Sequence, residues 1–164
     1  MGEVSPINEL YRQYRDKGFE FFTVYVREPH PGEHYHEHHS WDEKLQYARD
    51  CREQDCLETT LLIDDLEGTV HRMYGEMPNM VYLILNDGRI AYRSMWTDHV
   101  ELADVLREVA EYDAATAAGE RRRATYTDRL RFIPVYGDLV RDKVFGRAGP
   151  KSAEDYRNAF TGGG

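Results

Sequence analysis

Five of the chain's seven histidines, His30, His34, His36, His38 and His39, fall in one stretch, REPHPGEHYHEHHS, that begins at Arg27. Imidazole titrates near neutrality, so such groups can give or take a proton, and a nearby carboxylate such as Glu28 can set the tautomer and raise the pKa. The same groups can ligate metal. In an extended segment alternate side chains point to one side, so His34, His36 and His38 could converge on an ion of the zinc or nickel type. No cysteine or carboxylate stands at a recognised ligand spacing, so the expectation is no metal and no cofactor. Two thiols, Cys51 and Cys56, add sulfur chemistry. On a continuous helix five residues turn about 140° and rise about 7.5 Å. A disulfide wants Cα atoms within about 7 Å, so the pair is not read as a bridge. Small buried hydrophobes are the plainer role for both. Asp64 and Asp65 are paired carboxylates that helix capping accounts for.

The elements that must position these groups are legible in the pattern. Ser5-Pro6 reads as a cap followed by proline at the first helical position. Ile7, Leu10, Tyr11 and Tyr14 follow at helical spacing, closed by Gly18. Residues 19–26 form an aromatic and β-branched run, read as a strand over Phe21–Val26 buried on both faces, whose C-terminal end delivers Glu28 and the histidines. On that reading a charge at Val24 unfolds the domain. Ser40 with Glu43 reads as a capping box for a helix from Trp41 to Cys51 or Gln54. A strand over Thr60–Ile63 follows, then a short helix from Glu67 to Tyr74, then Met77-Pro78-Asn79 leading into a strand over Met80–Leu85. Asn86-Asp87-Gly88 is a hairpin turn onto Arg89–Ser94. Asp98 with Glu101 opens a helix that carries Val105, Leu106, Val109 and Tyr112 on its buried face and ends near Gly119. Beyond it lie short amphipathic pieces around Leu130, Leu139 to Phe145 and Ala153 to Phe160, broken by Pro134, Gly146 and Pro150.

Three segments, VYVREPHPGE, HHSWDEKL and LLIDDLEGTVHRMYG with MPNMVYLILNDGRIAYRS, together resemble the iodothyronine deiodinase-like branch of the thioredoxin-like proteins, and more closely its bacterial redoxin-type relatives. The resemblance runs from about Ser5 to Val109. It implies an α/β, thioredoxin-like fold, a mixed sheet flanked by helices, in residues 1–118, with 119–164 as a helical C-terminal extension. It implies a thiol-dependent oxidoreductase. Glu28 and His30 match the family's Glu-x-His-Pro motif, with Pro29 where alanine is usual. His38 falls at a second active-site histidine. Cys56 stands roughly where some deiodinases keep a resolving thiol. Pro78 matches the proline beside the active site, often a cis peptide, with Asn79 after it, and His30 is expected beside Pro78. The departure is the nucleophile: the family places a cysteine or selenocysteine between a first core strand and the first helix, and no residue here matches it. The expectation is therefore that the first core strand is lacking, that Met1 is a mis-assigned start or the chain a fragment, and that the full gene encodes about 20 to 40 more residues. Without that strand, Phe21–Val26 and Met80–Leu85 must pair directly or leave backbone groups unpaired.

The chain has 164 residues, a formal charge of −9 and 41% hydrophobic residues, enough for one domain with an extension and against a nucleic-acid partner. Arg121-Arg122-Arg123 is the one basic cluster and reads as a solvated helix face. No apolar run is long enough to span a bilayer and no signal-peptide pattern opens the chain, so no membrane partner is expected and the reading is cytoplasmic. The partner expected is a small molecule or a thiol/disulfide substrate; a homodimer stays open. Two other functions remain in view: a redox-inactive binding module using the wall around Glu28, His30 and Pro78, and a histidine-loop metal binder.

Overall fold

The computed structural model describes residues 4–28, 30–126, 130, 132 and 138–161. Pro29, Pro134 and most of the apolar stretch 131–136 lie outside the described residues. The elements are α1 (Val4–Tyr14), β1 (Phe22–Tyr25), α2 (Trp41–Gln54), β2 (Thr60–Ile63), α3 (Thr69–Met73), β3 (Val81–Ile84), β4 (Ile90–Ser94), α4 (His99–Ala117), α5 (Asp138–Ala148) and α6 (Pro150–Thr161).

Local signals explain most of the boundaries. Helix α1 passes into a 3₁₀ turn, Arg15–Lys17, that stops at Gly18 with φ +86°. It starts at Val4, so Ser5 lies inside its first turn rather than capping it. At α2 the Glu43 amide donates to Ser40 Oγ at 3.3 Å, while the Glu43 carboxylate accepts from the His39 amide at 2.7 Å. At α4 the Glu101 amide donates to Asp98 Oδ1 at 2.9 Å. The β3–β4 turn uses Gly88 at φ +86°, a conformation that only glycine adopts without steric cost. One expected break in the C-terminal segment is corrected: Gly146 lies within α5. The break expected at Pro150 falls at the junction of the two helices, where Pro150 opens α6 and its missing N–H costs nothing. Gly149, at φ +107°, makes the bend between the two helices.

The architecture is mixed α/β, with small sheets flanked by helices. β1 and β2 pair in parallel, with Phe22 opposite Thr60 and Tyr25 opposite Ile63. β3 and β4 pair antiparallel, with a register shift between Leu83 and Ile84. The two pairs form separate sheets, and β1 and β3 do not join. The main core lies under β3, where Leu10 and Tyr14 of α1, Leu83, and Leu102 and Leu106 of α4 pack together.

The expectation that β1 is buried on both faces is overturned. Side chains alternate along a strand. Tyr25 is buried, but Phe22 is 59% exposed, Val24 37% and its cross-strand neighbour Leu62 45%. One face of the β1–β2 pair is covered and the other meets solvent. Val24→Asp is therefore expected to cost less than about 1 kcal/mol, the scale of a strand-propensity change at an exposed position. A melting temperature lowered by more than about 8 °C would restore the two-sided strand.

Candidate functional site

The end of β1 delivers Tyr25, whose hydroxyl stands 3.3 Å from Glu28 Oε2 and 3.1 Å from His38 Nε2. A hydroxyl carries one proton. Donated to Glu28, that proton leaves the oxygen free to accept from His38 Nε2–H. The chain of donors then runs from His38 through Tyr25 to Glu28. Ring contacts hold it: His38 packs edge-on against Tyr25 at 5.5 Å and against Tyr47 of α2 at 5.4 Å.

The electrostatics follow from burial. Burial, reinforced by the Glu28 charge, pushes the Tyr25 hydroxyl far above the usual phenol range. Burial also raises the Glu28 carboxyl, against the pull of the Arg147 guanidinium. It lowers the His38 imidazole, helped by the Lys44 charge. Burial pushes each group toward its neutral form, and at Glu28 the Arg147 guanidinium opposes that push.

Arg147 comes from α5. Its Nη1 lies 3.8 Å from Glu28 Oε1, with the two side chains only 10% and 7% exposed. That is an ion pair without hydrogen-bond contact, and Nε and Nη2 of Arg147 are buried with no partner. The guanidinium rests over the Tyr35 ring at 4.4 Å. Cys51 of α2 joins this cluster. Its thiol donates to Asp55 Oδ2 at 3.7 Å, and burial pushes its pKa up while Arg147 opposes.

His30 stands apart from the proton chain. Its ring meets Phe145 of α5 at 5.5 Å and Tyr156 of α6 at 6.2 Å. No hydrogen bond joins it to Glu28 among the described residues. The expected rise in its pKa is corrected: burial lowers it from the ordinary 6.5. The sign is therefore that of a buried neutral base. Stability from His30 is full above about pH 6.5 and is lost as pH falls through the lowered folded value. Glu28 acts oppositely, its contribution being lost as pH rises from 4.5 through its raised value. His30→Asn is expected to flatten the acid-side loss in urea unfolding as pH falls below about 6.5. An unchanged slope would show that His30 is solvated.

The other expected residues lie elsewhere. His36 directs Nδ1 to the Glu37 carbonyl at 2.8 Å and Nε2 to Glu43 at 3.2 Å, and stacks on His39. With His38 engaged by Tyr25, the loop histidines do not converge. Among the described residues no group of three His, Cys, Asp or Glu could hold a metal. Pro78 is exposed and Asn79 half-buried in the turn before β3. The Asn79 carbonyl accepts from the Thr97 amide at 2.8 Å. No hydrogen bond or ring contact ties Pro78 or Asn79 to His30 among the described residues, and no described peptide bond is cis. Cys56 is exposed, at φ +52°, and lines an open hollow of about 520 Å³ with Arg49, Arg52, Glu53 and Leu57. The Glu28 and Arg147 charges reach Cys51.

Sequence reasoning missed Tyr25, Cys51 and Arg147 as site residues. Tyr25 had a signal, as the last residue of a strand ending at the histidine loop. Arg147 had none, because only tertiary packing brings α5 to Glu28. No described helix is long and apolar enough to cross a membrane. No protein-family model matches the chain, and neither does any curated protein or solved structure.

Proposed function

We propose that this chain is a thiol-dependent oxidoreductase of the thioredoxin-like, deiodinase type. The observation that supports it is the hydrogen-bonded chain His38–Tyr25–Glu28 at the C-terminal end of a parallel strand, where α/β proteins place their sites. Reductive thiol chemistry needs proton delivery: a hydroperoxide and two thiols yield an alcohol, water and a disulfide, and the leaving oxygen must be protonated. A group that relays protons in this way contributes about 10²-fold or more to rate. Neither cysteine of the chain is a good nucleophile for this site. Cys51 is held protonated by burial and Cys56 lies outside the cluster. The reacting thiol is accordingly a small thiol co-substrate, with Glu28, Tyr25 and His38 handling protons.

The test uses the 164-residue chain with dithiothreitol and tert-butyl hydroperoxide. Oxidation of the dithiol is expected to exceed the rate without protein, and His38→Ala to remove most of that excess, on the order of 10²-fold. A rate equal to dithiothreitol alone would end the oxidoreductase reading. The second reading, a redox-inactive binding module of the same fold, would then stand; what favours it is the same absence of an activated thiol among the described residues.

A further inference from the structure

The C-terminal helices touch the body of the protein where the candidate site lies. Arg147 of α5 meets Glu28 at 3.8 Å, and Phe145 and Tyr156 enclose the His30 ring. Ser152 Oγ donates to the His30 carbonyl at 3.2 Å, and the His34 amide donates to the Ala148 carbonyl at 3.1 Å. The Lys151 amide, at the start of α6, donates to both carboxylate oxygens of Glu33, at 2.8 and 3.0 Å. Phe145, Ala148 and Ser152 are buried by these contacts.

The approach is close enough to require glycine on the loop side. A Cβ on Gly32 would overlap the Ala148 carbonyl oxygen and lie 2.8 Å from its carbon. The seal is also electrostatically incomplete. The buried Arg147–Glu28 ion pair across it lacks hydrogen-bond geometry, and two guanidinium nitrogens are buried without acceptors. Groups in that state gain partners when water is admitted, so the closed arrangement carries a cost that opening relieves. Residues 120–126, which follow α4, are exposed and have neither helix nor strand.

We propose that the α5–α6 hairpin is an internal cap seated on the Glu28–His30 wall, which excludes substrate until it lifts away as a unit. This rests on reading that wall as the site, but its experiment follows the cap and not catalysis. A failed peroxide assay therefore leaves it standing, and a failed cap test leaves the proton chain standing.

Gly32→Ala adds one methyl group against the Ala148 backbone and alters no side chain of the proton chain. In the full chain, amide exchange over α5–α6 is expected to rise about tenfold, with α1, β3 and α4 unchanged. Carbethoxylation of His30 by diethyl pyrocarbonate, read by peptide mass, is expected to quicken several-fold, on the order of the change in exchange. Glu33→Gln with Ser152→Ala, which weakens the seal without steric load, should shift both readouts the same way to a smaller extent. Two results would overturn the proposal. One is unchanged exchange and His30 reactivity in both variants. The other is loss of protection over α4 together with α5–α6, which would make the hairpin part of one cooperative core.

Discussion

Asp64→Ala is expected to remove about 3–5 kcal/mol of folding stability, the cost of breaking a buried charge network from one side. Asp64 is 2% exposed, and its carboxylate accepts from the backbone amides of Asp65, Val70 and His71, each at 2.9 Å. Two of those amides are first-turn donors of α3, whose N-cap is Gly68 and offers no side chain. The carboxylate reaches in from the end of β2 to do what a cap residue does locally. Lys44 of α2, 1% exposed, donates to the Asp65 carbonyl at 2.6 Å, and its lowered pKa reflects burial opposed by the Asp64 charge. Removing Asp64 therefore leaves the amides without their acceptor and takes from Lys44 the largest of the carboxylate charges that act on it. Urea unfolding measures the loss directly. Asp64→Asn keeps an acceptor and should cost about half as much, and a double-mutant cycle with Lys44→Met should show coupling of about 0.5–3 kcal/mol. A loss below about 1 kcal/mol for Asp64→Ala would mean that water already serves those amides.

Tyr25 is the second position where a large effect is expected. Tyr25→Ala empties a buried aromatic site beneath His38 and should cost about 3–5 kcal/mol. Tyr25→Phe preserves the ring and removes only the hydroxyl, leaving Glu28 and His38 without the group that joins them, at a cost of about 1–3 kcal/mol. The difference between the two variants separates packing from hydrogen bonding. In the dithiothreitol assay, Tyr25→Phe should lose most of the chain-dependent rate while remaining folded, because the path from His38 to Glu28 is cut. A Tyr25→Phe protein with full activity would take Tyr25 out of the proton path and leave it a core residue.

What the sequence determined by itself is what neighbouring residues decide among themselves. Ser40 capping its helix through the Glu43 amide, Asp98 doing so through Glu101, and the Asp87-Gly88 turn all satisfy backbone groups within a few residues. The β-branched and aromatic run of β1 and the delivery of Glu28 and His38 to its end belong to the same class, since a strand's end is local information. Tertiary structure decided the rest. Which face of β1 is covered depends on what packs there: Tyr25 is buried under His38 while Val24, one residue before it, faces solvent. Whether β1 and β3 share a sheet is a matter of long-range pairing, and they do not. Cys51 joins the Glu28 cluster and Cys56 does not because α2 ends at Gln54 and Cys56 turns out at φ +52°. Arg147 meets Glu28 from the far end of the chain. No spacing rule links these two residues, because a contact between distant segments is set by the packing of whole elements, here the seating of α5–α6 on a loop that Gly32 leaves open.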